Sequence, residues 1–268
     1  MKKTVVLVNH FNRVPLLDRT LSSIARSKHD NYQVIVLDHD SPCDLEPIRR
    51  KYRWAKFVSK EKPSKDNWYS CIVSHNQMML EILDTMDPEV IVFQDAECYH
   101  VGDVLALTDN IGESDYYSFA CFSADQETTM RSDFEDAIER IARGCHREVW
   151  GNGVSAWYNH PVYRGVGYGF CAAMLAKNMV KLNDLDERYM DGVAYGDDDY
   201  VRRIRIMGLK TTIPISSFVV HQWHYDASYV IDETLLRKNR DLYQKIATEE
   251  CGYKAKHLIT KDFDWRMQ

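Results

Sequence analysis

Asp95 and Glu97 stand one residue apart at the end of an apolar run, Val90-Ile91-Val92-Phe93. A short apolar run with β-branched residues predicts a strand buried on both faces, as in a parallel sheet. Ligands of such sheets bind at the carboxyl ends of the strands, so both acids fall where a ligand would lie. In an extended segment residues i and i+2 point to the same side, and two carboxylates there repel unless a cation lies between them. Oxygen donors at this density suit Mg²⁺ or Mn²⁺, usually shared with phosphates. The plainer reading is a solvated strand end, which needs no metal.

A second acidic group, Asp197-Asp198-Asp199, follows Gly196 and precedes the apolar positions Val201, Ile204, Ile206 and Met207. That spacing predicts a helix start, where acids cap orphan N–H groups and meet the positive end of the dipole. Three consecutive aspartates exceed what capping requires, and a carboxylate held there beside a cleft can serve as a general base. A third group, His221 and His224, follows the apolar strand residues Val219 and Val220. Histidine is a common metal ligand, although either one alone reads as well as a packed or exposed side chain. Between the acid groups, residues 144–170 are rich in glycine and carry Trp150, Trp157, Tyr158, His160, Tyr163 and Tyr168. Such a segment reads as a binding loop, or as a surface excursion with its own aromatic cluster.

The elements that must position these groups alternate. Strands are expected at 4–8, 32–37, 55–58, 90–94, 116–122 and 211–220. Helices are expected at about 15–27, 44–52, 68–85, 127–143, 175–183, 197–207 and 231–249. Pro15 fits the first turn of the first helix, Asn67 is a candidate cap for the third, and Ile231, Leu235, Leu242 and Ile246 line one face of the last. The opening βαβ unit should cross over right-handedly. With no linker and no internal repeat, one domain accounts for the chain.

Composition narrows the classes further. The 268 residues are 45% hydrophobic and 28% charged, with a net charge of −6, which argues against a broad basic surface for nucleic acid or anionic lipid. Seven scattered cysteines without a CxxC pair point to a reducing compartment. The apolar start is too short for a signal segment, and no apolar run suffices to span a membrane. The expectation is a soluble, cytoplasmic protein.

Taken in order, these features resemble the GT-A glycosyltransferases, in particular the family 2-like enzymes, with C-terminal similarity to the β4-galactosyltransferase group. The resemblance covers about residues 4–224. It implies an α/β fold: a single GT-A-type domain with a mostly parallel central sheet flanked by helices and a C-terminal helix. A nucleotide-binding half (about 1–97), an acceptor-binding and catalytic half (about 98–230) and a helical extension (231–268) would follow. In Asn9-His10-Phe11-Asn12-Arg13 the resemblance places Phe11 against the nucleobase, with Asn9 and Arg13 beside the donor. Asp38 matches the acid that hydrogen-bonds the base, often uracil, and Asn76 the polar residue near the diphosphate. Asp95-Ala96-Glu97 is similar to the DxD motif that holds the metal, with His221 or His224 as a late ligand. Asp186-Glu187-Arg188-Tyr189 resembles the "DERF" segment, and Gly196-Asp197-Asp198-Asp199 the "GEDDD" helix start. Asp197 thereby falls on the catalytic base, and the acceptor-binding carboxylate that Gly196 replaces is either missing or supplied by Asp198.

The resemblance implies metal-dependent transfer of a sugar, with inversion, from a nucleotide diphosphate sugar (UDP-sugar expected) to a glycan or other hydroxyl acceptor. Asp197 would take the acceptor proton, and Mn²⁺ or Mg²⁺ would neutralise the leaving diphosphate. Trp157, Tyr158 and Tyr168 would stack on sugar. A nucleotidyltransferase is the first rival, disfavoured because the loop after the first strand, NHFNRVP, lacks the glycines that grip a triphosphate. A non-catalytic nucleotide-sugar or glycan-binding protein would not need Asp197. A nucleic-acid acceptor is less natural for an acidic chain, and Arg202, Arg203 and Arg205 read as a solvated helix face.

Overall fold

The computed structural model describes residues 1–61, 71–149, 154–224 and 232–263. The expected features Asn67, Trp150 and Ile231 lie outside the described residues. Four parallel strands form the nucleotide-type half: β1 (Thr4–His10), β2 (Tyr32–Asp38), β3 (Ala55–Ser59) and β4 (Val90–Asp95). The helices between them are α1 (Val14–Ile24), α2 (Glu46–Lys51) and α3 (Cys71–Met86). There follow β5 (Cys98–Val101), a 3₁₀ turn (Leu105–Asn110), β6 (Asp115–Ser118), β7 (Cys121–Ser123), α4 (Gln126–Thr129) and α5 (Phe134–Arg143). The remainder is β8 (Ala156–Asn159), β9 (Cys171–Leu175), α6 (Ala176–Leu182), a 3₁₀ turn (Glu187–Asp191), α7 (Gly196–Ile206), β10 (Lys210–Thr212), β11 (Phe218–His221) and α8 (Glu233–Glu249).

The central sheet runs β10-β6-β9-β4-β1-β2-β3, and β9 alone is antiparallel to its neighbours. Its apolar runs are explained by burial on both faces. Val6, Val8, Val34, Val36, Val90 and Val92 pack on one side with Leu17, Leu21 and Ile24 of α1. The alternate residues Val5, Leu7, Ile35, Leu37, Ile91 and Phe93 pack on the other with Met78, Met79 and Ile82 of α3 and Tyr200 and Ile204 of α7. This is the period-2 alternation of a strand applied to a sheet with two cores.

A second sheet, β5-β11-β7-β8, has its own core of Tyr99, Phe122, Phe134, Ile138, Trp157 and Phe218. It corrects three expectations. The stretch 116–122 is two strands, β6 in the central sheet and β7 in the second, separated at Phe119-Ala120. The stretch 211–220 divides likewise into β10 and β11. The helix expected over 127–143 is broken at residues 130–133 into α4, which Asp125 caps at its start by accepting from the Thr128 amide, and α5. An apolar run records burial and carries no mark of the point where the chain leaves one sheet for another.

Candidate active site

Parallel register brings the ends of β1 and β4 level, with Asn9 paired to Asp95 and the Ala96 amide donating to the Asn9 carbonyl. On the other side of β4, the Asp95 amide donates to the Phe170 carbonyl at 3.2 Å, just before β9. Gly169 is required by this approach: a Cβ there would come within 2.8 Å of the Phe93 ring. The strand ends thus frame a cavity of about 240 Å³ whose wall includes Asn9, His75, Asp95, Tyr168, Phe170 and Asp197.

Glu97 faces the second sheet. Antiparallel pairing sets His221 of β11 opposite Cys98 of β5, and the Gln222 amide and side chain both donate to the Glu97 carbonyl at 3.1 Å. As a result His221 Nε2 and His224 Nε2 each lie 3.4 Å from Glu97 Oε1. The donor atoms of these three residues all fall within 4.8 Å of one another. Arg13 also reaches Oε1, at 2.6 Å, while Oε2 is buried without a hydrogen-bond partner among the described residues. Burial opposes the Glu97 charge, but the Arg13 guanidinium and the two imidazoles overcome it and hold the carboxyl well below its usual range. Asp95 responds the other way. Burial and the neighbouring Glu97 charge push it well up, with Asp197 adding to the effect.

An anionic oxygen without a partner, beside two imidazoles, fits a divalent cation. Two nitrogen donors suit Mn²⁺ better than Mg²⁺, which prefers oxygen. Asp95 stands outside the three-residue group and on the cavity side.

The second acidic group is fixed by an unusual turn. Ala194 and Tyr195 both take left-handed conformations, with φ of 61° and 64°, directly before α7. No side chain caps this helix, so the capping reading of the aspartates does not hold. The three diverge instead. Asp199 is fully buried and bonds Arg203 Nε at 2.7 Å and Arg202 Nη2 at 2.8 Å. Asp198 accepts from the Tyr168 hydroxyl at 2.8 Å. Asp197 faces the cavity. Crowding by protein atoms in the cleft, with the charge of Asp198, pushes its carboxyl up to about 6. Water reaching this open side chain limits the shift.

No protein-family model and no curated protein matches the chain. Solved structures do match. The mannosyltransferase PcManGT from Pyrobaculum calidifontis, in complex with GDP-Man and Mn²⁺, aligns with TM-score 0.52 at 16% identity, over 85% of this chain and 59% of that one. S. aureus TarS 1-349 in complex with UDP-GlcNAc aligns with TM-score 0.56 at 15% identity, over 92% of this chain and 67% of that one. The fold is that of the GT-A glycosyltransferases. At these identities the likeness is one of fold, and the similarity of the C-terminal part to the β4-galactosyltransferase group rests on its motifs alone.

Within this GT-A frame several expected site residues take other places. Trp157 is only 2% exposed, packs on Phe122 and Phe218, and donates its indole N–H to the Cys145 carbonyl; it is a core residue and no stacking platform. Asn76 is buried, and its amide joins Leu185 O at 2.9 Å, Leu185 N at 3.2 Å and Glu187 Oε1 at 3.2 Å; it holds the "DERY" segment and does not line the cavity. Asp38 is bound from inside, by His10 Nδ1 at 2.9 Å, Ser41 and Ser59. Burial would raise its carboxyl, but the His10 and Ser41 hydrogen bonds bring it below the usual value. Tyr158 stacks on Phe170 at 5.1 Å and meets His221 edge-on, while Phe11 is half-buried in the loop after β1. Arg203 is 1% exposed and ion-paired, contrary to the expected solvated face.

Two cavity histidines were not among the sequence candidates. His39 bonds Ser74 at 2.7 Å and Asn9 at 3.2 Å; His75 bonds Asn9 at 3.0 Å and pairs with the buried Asp184 at 3.0 Å. His39 directly follows Asp38 at the end of the second strand, and that placement was the signal that could have found it. His75 sits on the apolar face of a helix, where nothing in the sequence separates it from core.

Proposed function

We propose that the chain is a metal-dependent inverting glycosyltransferase that moves a sugar from a nucleotide diphosphate sugar, with UDP-sugar as the expected donor, to an acceptor hydroxyl. The observation that carries the reading is that Asp95 and Asp197, a hundred residues apart, line one cavity. About 240 Å³ falls below the roughly 300–1,000 Å³ of whole-ligand pockets, which suits one sugar ring more than a complete nucleotide.

Asp197 acts as the base. Its raised pKa places it where a carboxylate is charged at neutral pH yet basic enough to accept a proton from an attacking hydroxyl. One base driving one displacement inverts the anomeric centre. Tyr168 holds Asp198 beside it, so the acceptor meets one fixed and one reactive carboxylate. Glu97, His221 and His224 would hold the divalent cation, which when bound supplies neutralisation of the charge leaving with the diphosphate. His75 Nδ1 bonds Asn9 at 3.0 Å while its Nε2 lies 3.0 Å from Asp184, which sets the ring against Asn9 in the cavity wall. The solved mannosyltransferase and TarS, bound to GDP-Man with Mn²⁺ and to UDP-GlcNAc, support the assignment. Among the described residues no helix is long and apolar enough to cross a membrane.

A panel of nucleotide sugars with Mn²⁺, read by calorimetry and by product analysis, tests this. Release of nucleoside diphosphate with an inverted glycoside is expected. Formation of nucleoside triphosphate and sugar 1-phosphate when pyrophosphate is added would instead identify a nucleotidyltransferase, and binding without turnover across the acceptor panel a binding protein.

A further inference from the structure

A second cleft, of about 410 Å³, opens between α7, α8 and the loop at Gly165, and shares Tyr168 and the neighbourhood of Asp198 with the donor cavity. Tyr243 of α8, packed on Tyr195 at 5.8 Å, supplies an aromatic wall of the kind that suits a sugar face. Arg202 and Arg205 supply the charge. They are three residues apart on α7 and so share a face.

Of the charged groups that line the cleft, two are guanidiniums and one is the Asp198 carboxylate. Asp199, at 2.8 Å from Arg202, is shared with Arg203 at 2.7 Å, so Arg202 is only partly offset by it. Arg202 uses its remaining reach on the Glu250 carbonyl at 3.1 Å, so it contributes field more than new hydrogen bonds. Arg205 is exposed and makes no side-chain hydrogen bond or ion pair among the described residues. Asp198, the acid lining the cleft, is engaged by Tyr168.

We infer that the acceptor carries an anionic group, phosphate or carboxylate, received by Arg205 in the field of Arg202, with its hydroxyl directed past Tyr168 toward Asp197. The inference rests on the glycosyltransferase reading and adds the acceptor class. A planar five-donor fork matches either anion. Asp197 repels the same group from the donor cavity, so the charges at the two ends of the path orient the acceptor. No basic surface of the extent that a long polyanion requires is needed, in keeping with the net charge of −6.

The test is calorimetric titration of the whole protein, with and without UDP and Mn²⁺. The probes are glucose, galactose and mannose, their 6-phosphates, and the corresponding uronates. At least one anionic form should bind tenfold or more tightly than its neutral parent, and the better of the two identifies phosphate or carboxylate. Arg205→Ala should remove most of that preference and Arg205→Glu all of it, with affinity for UDP and Mn²⁺ unchanged. Equal binding of charged and neutral forms, or a preference that survives Arg205→Glu, overturns the inference. Failure of UDP to bind in the presence of Mn²⁺ sinks the donor reading separately, since the nucleotide-free titrations still decide the acceptor class.

Discussion

Asp197 bears a carboxyl raised to about 6, and the sign of that shift fixes two measurable consequences. First, the base works only when ionised, so kcat/KM should rise through about pH 6 and level off above it. Asp197→Asn should lower kcat by about 10²–10⁴-fold, the range of a lost general base, with nucleotide affinity kept. Second, a folded pKa above the ordinary 3.8 means that ionisation disfavours the fold. The penalty is absent below the ordinary value and complete above the raised one. Asp197→Asn should therefore raise Tm at pH 8 and leave it unchanged at pH 3.5. A variant that loses activity but gains no stability at pH 8 would show that the carboxyl is not raised and remove the argument for a tuned base. At the other acid site, His221→Ala and His224→Ala should each weaken Mn²⁺ binding by about tenfold or more, while Asp95→Ala changes nucleotide affinity more than affinity for the ion alone. Calorimetry with Mn²⁺ alone, then with UDP, separates the two.

At the scale of elements, the reading from sequence was strongest where one strand or helix carried one pattern. Residues 90–97 announced a strand running into acids, and 196–207 a helix beginning at acids; both stand. What could not be read was partnership across the chain. The pairing of β11 with β5 delivers the histidines to Glu97, and no local property of Phe218–His221 names that partner. Trp157 failed for a related reason: an aromatic in a glycine-rich stretch looks like a binding loop, and only the second sheet reveals it as core. The support of α7 was equally hidden. Asn239 of α8 donates to the Tyr189 carbonyl at 3.1 Å and the Ala194 carbonyl at 2.9 Å, and Gly192 lies so close that a Cβ would approach Asn239 Oδ1 to 2.1 Å. Asn239→Ala should cost about 1–3 kcal/mol by removing both bonds, the Tyr189 carbonyl keeping only the Gly192 amide at 3.3 Å. Gly192→Ala should push α8 away and lower kcat, although neither residue touches the cavity. An unchanged kcat in a folded Gly192→Ala protein would show that α8 does not set the base.

For the molecule as a whole, the carboxy-terminal segment is part of the frame. Glu187 is fully buried and accepts the amides of Leu258 and Ile259 at 2.7 Å and Thr260 at 3.2 Å. Asn183 bonds Ala255 O at 3.0 Å and the Phe263 amide at 2.8 Å. Burial would raise the Glu187 carboxyl, but these donors with Asn76 bring it down. Its contribution is thus present above the ordinary carboxylate range and fades as acid protonates it. Removing residues 255–268 strands this charge, at about 3–5 kcal/mol, or roughly 6–20 °C in Tm. The deficit should narrow below pH 4. A truncated protein that melts with the full chain would show that the segment is a dispensable extension and no part of the frame.

The left-handed pair Ala194-Tyr195 reverses an ordinary rule of mutagenesis. Each non-glycine residue there opposes its own preference by about 1–2 kcal/mol, and the hydrogen bond of Asn239 to Ala194 is what keeps the bend. Glycine, a loss in most ordered segments, would be a gain at Ala194, and a screen for heat resistance should find it. The same relaxation would loosen the seat from which the proton is taken, so the hardier protein would be the slower one.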